Sequence, residues 1–224
     1  MTMTVTEMWV IFAAVVAFVL IFAVASHKKF TVREISIIGL MAALSYVAYL
    51  LRVPFLGSKS SFHLGNTFTA LTALLLDGVS GGLAGAIGLS IADIAAGDPG
   101  YAITTFILKF IIGLVCGTVA HKVLHLHDKN PKTMSKAKYI TLVTGAAFSG
   151  LLVNVFTDPF LGYFRNRFLF GMEPDITTTF AKIASGVTLV NSIVSCLCCV
   201  VLYLAVYPAL KKAHLLPEPK KEKC

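Results

Sequence analysis

Seven stretches of this chain are apolar on nearly every side: Met8 to Ala25, Ile35 to Leu51, Gly65 to Leu76, Gly82 to Ala96, Ala102 to Ala120, Tyr139 to Phe156 and Ile183 to Tyr207. A helix at the surface of a water-soluble domain carries a polar face, and these runs mostly lack one. Several approach the roughly 20 residues needed to cross ~30 Å of hydrocarbon. The pattern therefore predicts an all-α, multi-pass membrane domain. The third and fourth runs are short and rich in glycine, which leaves their ends less well marked than their existence.

Hydrophobic residues make up 57% of the chain and charged residues 13%, which agrees with that reading. Seven spans put the two termini on opposite sides. Segments on one side hold Lys28, Lys29 and Arg33, then Lys122, Lys129, Lys132, Lys136 and Lys138, then Lys211, Lys212, Lys220, Lys221 and Lys223. The other side holds Arg52, Lys59, Arg165, Arg167 and Lys182. Basic residues favour the cytoplasm, so the expected topology is N-terminus outside and C-terminus inside. The net charge of +8 is then a topology signal with some attraction to anionic membrane lipid, and no nucleic-acid partner is needed to explain it. Ala23-Val24-Ala25 resembles a signal-peptidase site. No Lys or Arg precedes the run, Glu7 does, and His27-Lys28-Lys29 follow it, so the expectation is an uncleaved helix.

Cys116, Cys196, Cys198 and Cys199 fall inside predicted spans and read as small apolar packers, with Cys224 a thiol in the tail. His121, His125 and His127 offer a His-x3-His-x-His spacing, but with only Asp128 nearby the reading is a polar helix end and no metal site. Between spans, His121 to Lys138 reads as a solvated connector around Pro131. Thr157 to Lys182 combines Asp158-Pro159, the aromatics Phe160, Tyr163, Phe164, Phe168 and Phe170, the pair Arg165 and Arg167, and Glu173-Pro174-Asp175. A connector of that length is expected to be a loop, serving as a lid or resting at the headgroup level.

The chemistry-bearing residues are the polar ones inside apolar runs. Lys109, Asp93, Asn154, Asp158 and Asn191 all sit there, and ionisable groups at membrane depth normally face a packed interior or a wet cavity. With 1.5 Å rise per residue, Lys109 lies roughly 12 Å below Tyr101, and Asn154 and Asp158 are one turn apart. All five fall in the outer half, so the outer ends of spans four to seven are expected to enclose a polar cavity rimmed by His63, Asn66, Tyr101, Thr104 and Thr105. Asp93 and Lys109 pairing with each other is the structural alternative, but desolvation makes such pairs weak stabilisers. Asn154 and Asn191 as interhelical hydrogen-bond partners is the other. Small residues at Gly81 and Gly85, and at Gly39 and Ala43, form steps that let backbones approach closely, either within the molecule or against a partner protein.

Phe62-His63-Leu64-Gly65-Asn66, the Gly81-Gly82-x-x-Gly85-x-x-Gly88 stretch leading to Asp93, and Asp98-Pro99-Gly100-Tyr101 followed by Thr105-Phe106-x-x-Lys109-x-x-x-Gly113 resemble the substrate-binding S components of energy-coupling factor (ECF) vitamin transporters. Val190-Asn191-Ser192 through Pro208-Ala209-Leu210-Lys211-Lys212 is similar to the end of that family. The resemblance implies a six-helix substrate-binding domain, here over residues 31–215; the added helix in residues 1–30 departs from the family, and a basic tail, residues 216–224, follows. It implies capture of a water-soluble vitamin at the outer face, and docking through Gly39 and Ala43 on a coupling subunit that carries two ATPase subunits. Val47 departs from the small-residue step.

The chain lacks a Gly-x-x-x-x-Gly-Lys-Ser/Thr phosphate loop and any catalytic Ser/His or His-Glu-x-x-His set at one depth, so the expectation is a binder without cofactor, not an enzyme. Lys109 is expected to act as donor or point charge, Asn154 and Asn191 as bidentate amides, Asp158 as acceptor and Tyr101 as a stacking wall. An ion-coupled secondary transporter using Asp93 and Lys109 is the alternative.

Overall fold

A computed structural model describes residues 3–26, 30–55, 60–129 and 133–216. Lys28, Lys29, Lys59, Pro131, Lys132, Cys224 and nearly all of the basic tail lie outside them. Within the described residues seven α-helices follow in order: α1 Val5–Ser26, α2 Val32–Leu50, α3 Gly65–Leu75, α4 Gly78–Ala95, α5 Pro99–Thr118, α6 Lys136–Phe164 and α7 Pro174–Lys212. Six are long and apolar enough to cross a membrane. The fold is a six-helix domain, α2 to α7, with one added helix at the N-terminus.

Helix starts are written locally. Thr4 and Glu7 exchange hydrogen bonds with each other's backbone N–H, and Thr31 and Glu34 repeat the arrangement at α2. Each Thr-x-x-Glu satisfies two donors that a helix start leaves open. Asp77 accepts from the Ser80 N–H at α4, and Pro99 and Pro174 occupy first turns, where a missing N–H costs nothing.

With 11 residues, α3 is only ~16 Å long and falls short of a span. Almost all of it is buried among other helices, so its ends meet protein groups and not lipid. His121 donates through Nε2 to the Ala73 carbonyl at 2.8 Å, and the half-buried His127 ring lies beside it. The connector after α5 is thus partly docked, through a π turn at Val119–Val123 and a 3-10 turn at Leu126–Asp128. His125 adopts a left-handed φ of 49° and is exposed beside Asp128. The His121 ring instead lies against that of His127, centroids 4.0 Å apart.

The glycine-rich α4 lies against α2, α3 and α5. A Cβ at Gly85 would collide with Thr69 Oγ1 of α3, and one at Gly113 of α5 would collide with the Gly82 nitrogen. Without side chains at these positions the backbones meet directly, the close approach that substitutes for hydrophobic force in lipid. The Gly81 to Gly88 stretch thereby packs inside the molecule, whereas Gly39 and Ala43 of α2 face outward.

The expected loop over residues 157–182 is a correction. Helix α6 continues through Pro159 to Phe164 and on through a π turn, Arg165–Leu169; only residues 170–173 separate it from α7. Both Asp-Pro and Glu-Pro-Asp read as loop markers in the sequence. Pro159 is accommodated inside a helix of the bundle, as proline is in membrane helices, and Pro174 starts a helix. Gly171, at φ 65°, supplies the reversal.

Candidate functional site

Three α5 residues one turn apart, Tyr101, Thr105 and Lys109, point to the same side of their helix. So do Asn154, Asp158 and Gly162 on α6 with Arg165 of the π turn that continues it, and Ala181, Ala184, Thr188 and Asn191 on α7. These stripes meet the last turn of α4 at Asp93, the first turn of α3 at Asn66 and a two-stranded hairpin. The hairpin pairs β1, Val53–Pro54, with β2, Ser61–Phe62, in antiparallel register and leads into His63. Together they line a cavity of about 120 Å³ at the end of the bundle that carries the α4–α5 and α6–α7 turns. The lining includes all nine residues His63, Asn66, Asp93, Tyr101, Thr105, Lys109, Asn154, Asp158 and Asn191. Thr104, also expected at the rim, stands behind the wall.

Hydrogen bonding divides these residues into two sets. Asp93 is engaged at both oxygens: the Tyr49 hydroxyl donates to Oδ1 at 2.9 Å and the Thr105 hydroxyl to Oδ2 at 2.5 Å. Among the described residues no ion pair joins Asp93 to Lys109, so the direct contacts of Asp93 are hydroxyl donors. Asn191 clamps the hairpin, accepting the His63 N–H through Oδ1 at 3.2 Å and donating through Nδ2 to the Ser61 carbonyl at 2.9 Å. Both ends of its amide are engaged by backbone, and a solute contact there would use the second Nδ2 hydrogen and the second Oδ1 lone pair. Tyr101 has Arg165 stacked on its ring, guanidinium carbon 3.6 Å from the centroid, so that face is not an open stacking wall.

The second set presents unmet capacity. Lys109, 7% exposed, forms no hydrogen bond or ion pair among the described residues and senses Asp158 and Asp93 only at longer range. Asn154 and Asn66 each bury an Oδ1 with no partner among the described residues. Buried acceptors without partners cost about 1–3 kcal/mol each, so such atoms call for a water or a solute. His63 Nδ1 accepts the Gly65 N–H at 3.2 Å, which places the ring proton on Nε2. Burial, followed by the charges of Lys109 and Arg52, pushes the His63 pKa down to about 3, so the ring is a neutral donor at ordinary pH. Asp158 accepts from the Thr188 hydroxyl at 2.5 Å through one oxygen.

Arg165, Tyr49, Thr188 and Asn166 also line the cavity, and the sequence pattern does not single them out for it. The charge distribution counts Arg165 only as an exterior basic residue in a loop. Continuing the helical spacing from Asn154 and Asp158 through Gly162 reaches Arg165, a signal masked by the Asp158-Pro159 pair. In the fold Arg165 is buried; it donates to Thr104 Oγ1 at 2.9 Å and to Asn166 Oδ1 at 3.3 Å. With Lys109 and Arg165 set against Asp93 and Asp158, the formal charges of the lining balance.

The sequence matches the family of ECF-type riboflavin transporter S components over residues 29–208. No curated protein matches it. The fold is similar to the solved structure of ThiT from Listeria monocytogenes, with a TM-score of 0.60 and 19% identity over 82% of this chain and 97% of that one. At that identity the likeness concerns the fold alone. The family match leaves α1 outside.

Proposed function

This chain belongs to the family of ECF-type riboflavin transporter S components, and from that premise we propose that it captures a water-soluble vitamin for ATP-driven uptake, with riboflavin the first solute to test. The family is one of transport components rather than enzymes. The observation that carries the reading is the convergence of polar residues from six helices and the hairpin on one cavity, several with unmet hydrogen-bonding capacity. Lys109, His63 Nε2–H and the remaining Arg165 N–H groups donate to the solute; Asn154, Asn66 and the second oxygen of Asp158 accept from it. A lining of balanced charge suits an uncharged, hydrogen-bonding solute, since a net charge would attract the opposite ion at membrane depth.

The cavity end faces outside, as the distribution of basic residues favours. Energy comes from two ATPase subunits on a shared coupling subunit. Gly39 and Ala43 offer that partner an outward small-residue face on α2, where a Cβ at Gly39 would meet nothing within 4 Å. Neighbouring exposed apolar residues such as Leu40 and Val47 contact membrane lipid or the partner.

Native mass spectrometry of the detergent-purified chain, together with quenching of riboflavin fluorescence, tests the proposal. The expected result is a retained vitamin-sized molecule or saturable riboflavin binding at one site. Purified protein that retains no solute and leaves riboflavin fluorescence unchanged would sink it.

A further inference from the structure

The added helix α1 lies outside the family match, yet it touches the cavity wall. The Met3 N–H donates to the Leu169 carbonyl at 3.3 Å, at the end of the π turn that carries Arg165 and Asn166. Five residues on, Met8 Sδ and the Phe170 ring pack against Gly100, each within 3.1 Å of where a Cβ there would stand. Phe170 in turn lies 5.6 Å from the Tyr101 ring and 6.0 Å from the Arg165 guanidinium, which covers the other neighbour, Tyr101, at 3.6 Å. The start of α1, Phe170, Arg165, Tyr101 and the cavity thus form one continuous chain of contacts.

Elsewhere Val19 and Ala23 of α1 are buried in the core, and Phe12, Val15 and Val16 pack against it. Two edge-to-face pairs, Phe12–Phe106 and Phe22–Phe110, tie it to α5, while an apolar groove of about 550 Å³ remains open between Ile11, Val15, Phe18 and Ile107, Ile111, Leu114. Along its middle, α1 thus packs on the bundle and not on the cavity. Its contacts at the cavity end are the ones that reach functional residues.

We propose that α1 is a positioning element of the binding site: it clamps the wall made by Tyr101, Arg165 and Phe170 and so lengthens the stay of a captured solute. The residence part rests on the capture reading above; the clamp itself does not. The wall needs such support because a π turn departs from regular helix hydrogen bonding, and the Arg165 side chain is held there by two hydrogen bonds and its stacking on aromatic rings. Fixing Leu169 and Phe170 from α1 restricts the turn from its far end.

Amide hydrogen exchange compares the full chain with a chain lacking residues 1–26 in the same lipid nanodiscs. Met3→Pro, which removes the N–H donor and fixes φ ahead of the helix, and Met8→Ala carry the test should the shortened chain fail to insert. The clamp requires exchange of amides 165–172 to rise at least tenfold while those of α3 and α4 stay protected. Unchanged exchange overturns it, and so does a rise spread over α3 and α4, which would make α1 a general fold support. Riboflavin dissociation from the same proteins reads residence: a several-fold faster off-rate at equal on-rate is expected, and equal off-rates overturn that part. Riboflavin binding to neither chain refutes the capture of this vitamin while the exchange result still decides the clamp.

Discussion

Lys109 is the residue where stability and function pull apart. A buried ammonium without a contacting acceptor weakens the folded state, and such unfavourable placements persist where a ligand completes them. Lys109→Met is expected to leave thermal stability equal or higher and to lower riboflavin affinity at least tenfold, about 1.4 kcal/mol, by fluorescence titration. Equal affinity would exclude Lys109 from the contact. His63 sets a second prediction. The fold keeps it neutral down to about pH 3, while the unfolded chain takes up a proton near pH 6.5, so the unfolded state binds more protons in between. Stability is therefore expected to fall as pH drops below about 6.5. His127, pushed down to about 4 first by burial and then by the His121 ring, adds to the same slope. Thermal unfolding at pH 7.5 and 5 should show the loss, and His63→Gln should reduce but not abolish it.

Contacts between elements depend on glycine at α4. Gly113 approaches Gly82 so closely that no side chain fits, and the obstacle is backbone, which cannot rotate away. Gly113→Leu is expected to cost about 3 kcal/mol or more, read as a lowered midpoint in a detergent thermal scan. Gly145, whose Cβ position is open, is the control: Gly145→Ala should leave the midpoint unchanged or raise it slightly. The hairpin and α7 form the other contact with consequences for the site. Asn191 ties β2 and His63 to α7 by two hydrogen bonds, so the amide acts by holding the donor His63 in place.

At the scale of the molecule, the cavity and the outward face of α2 are separate. Gly39 and Ala43 point away from the bundle, whereas the cavity residues point inward. Gly39→Leu with Ala43→Leu is expected to abolish co-purification with the coupling and ATPase subunits and to leave riboflavin titration unchanged. Loss of binding together with loss of the partners would place the α2 face within the site and not on the docking side. The length of α7, 39 residues or ~58 Å, exceeds a bilayer core, so its first turns carry Phe180 and Ala181 to the cavity beyond the apolar stretch the sequence marks.

Apolar runs are enough to locate all seven helices, because in lipid the cost of exposing polar groups is carried by each segment alone. The depth of the polar residues is enough to gather Lys109, Asp93, Asn154, Asp158 and Asn191 at one end, since rise per residue is fixed. Packing decides the rest. Asn191 and Asp93 hold neighbouring elements, and Arg165 enters the cavity, because hydrogen-bond partners come from segments far apart in sequence: Ser61 and Asn191, Tyr49 and Asp93, Thr104 and Arg165. Likewise only the folded arrangement brings Met3 to Leu169, since neither position carries a side-chain signal and the bond between them is backbone to backbone.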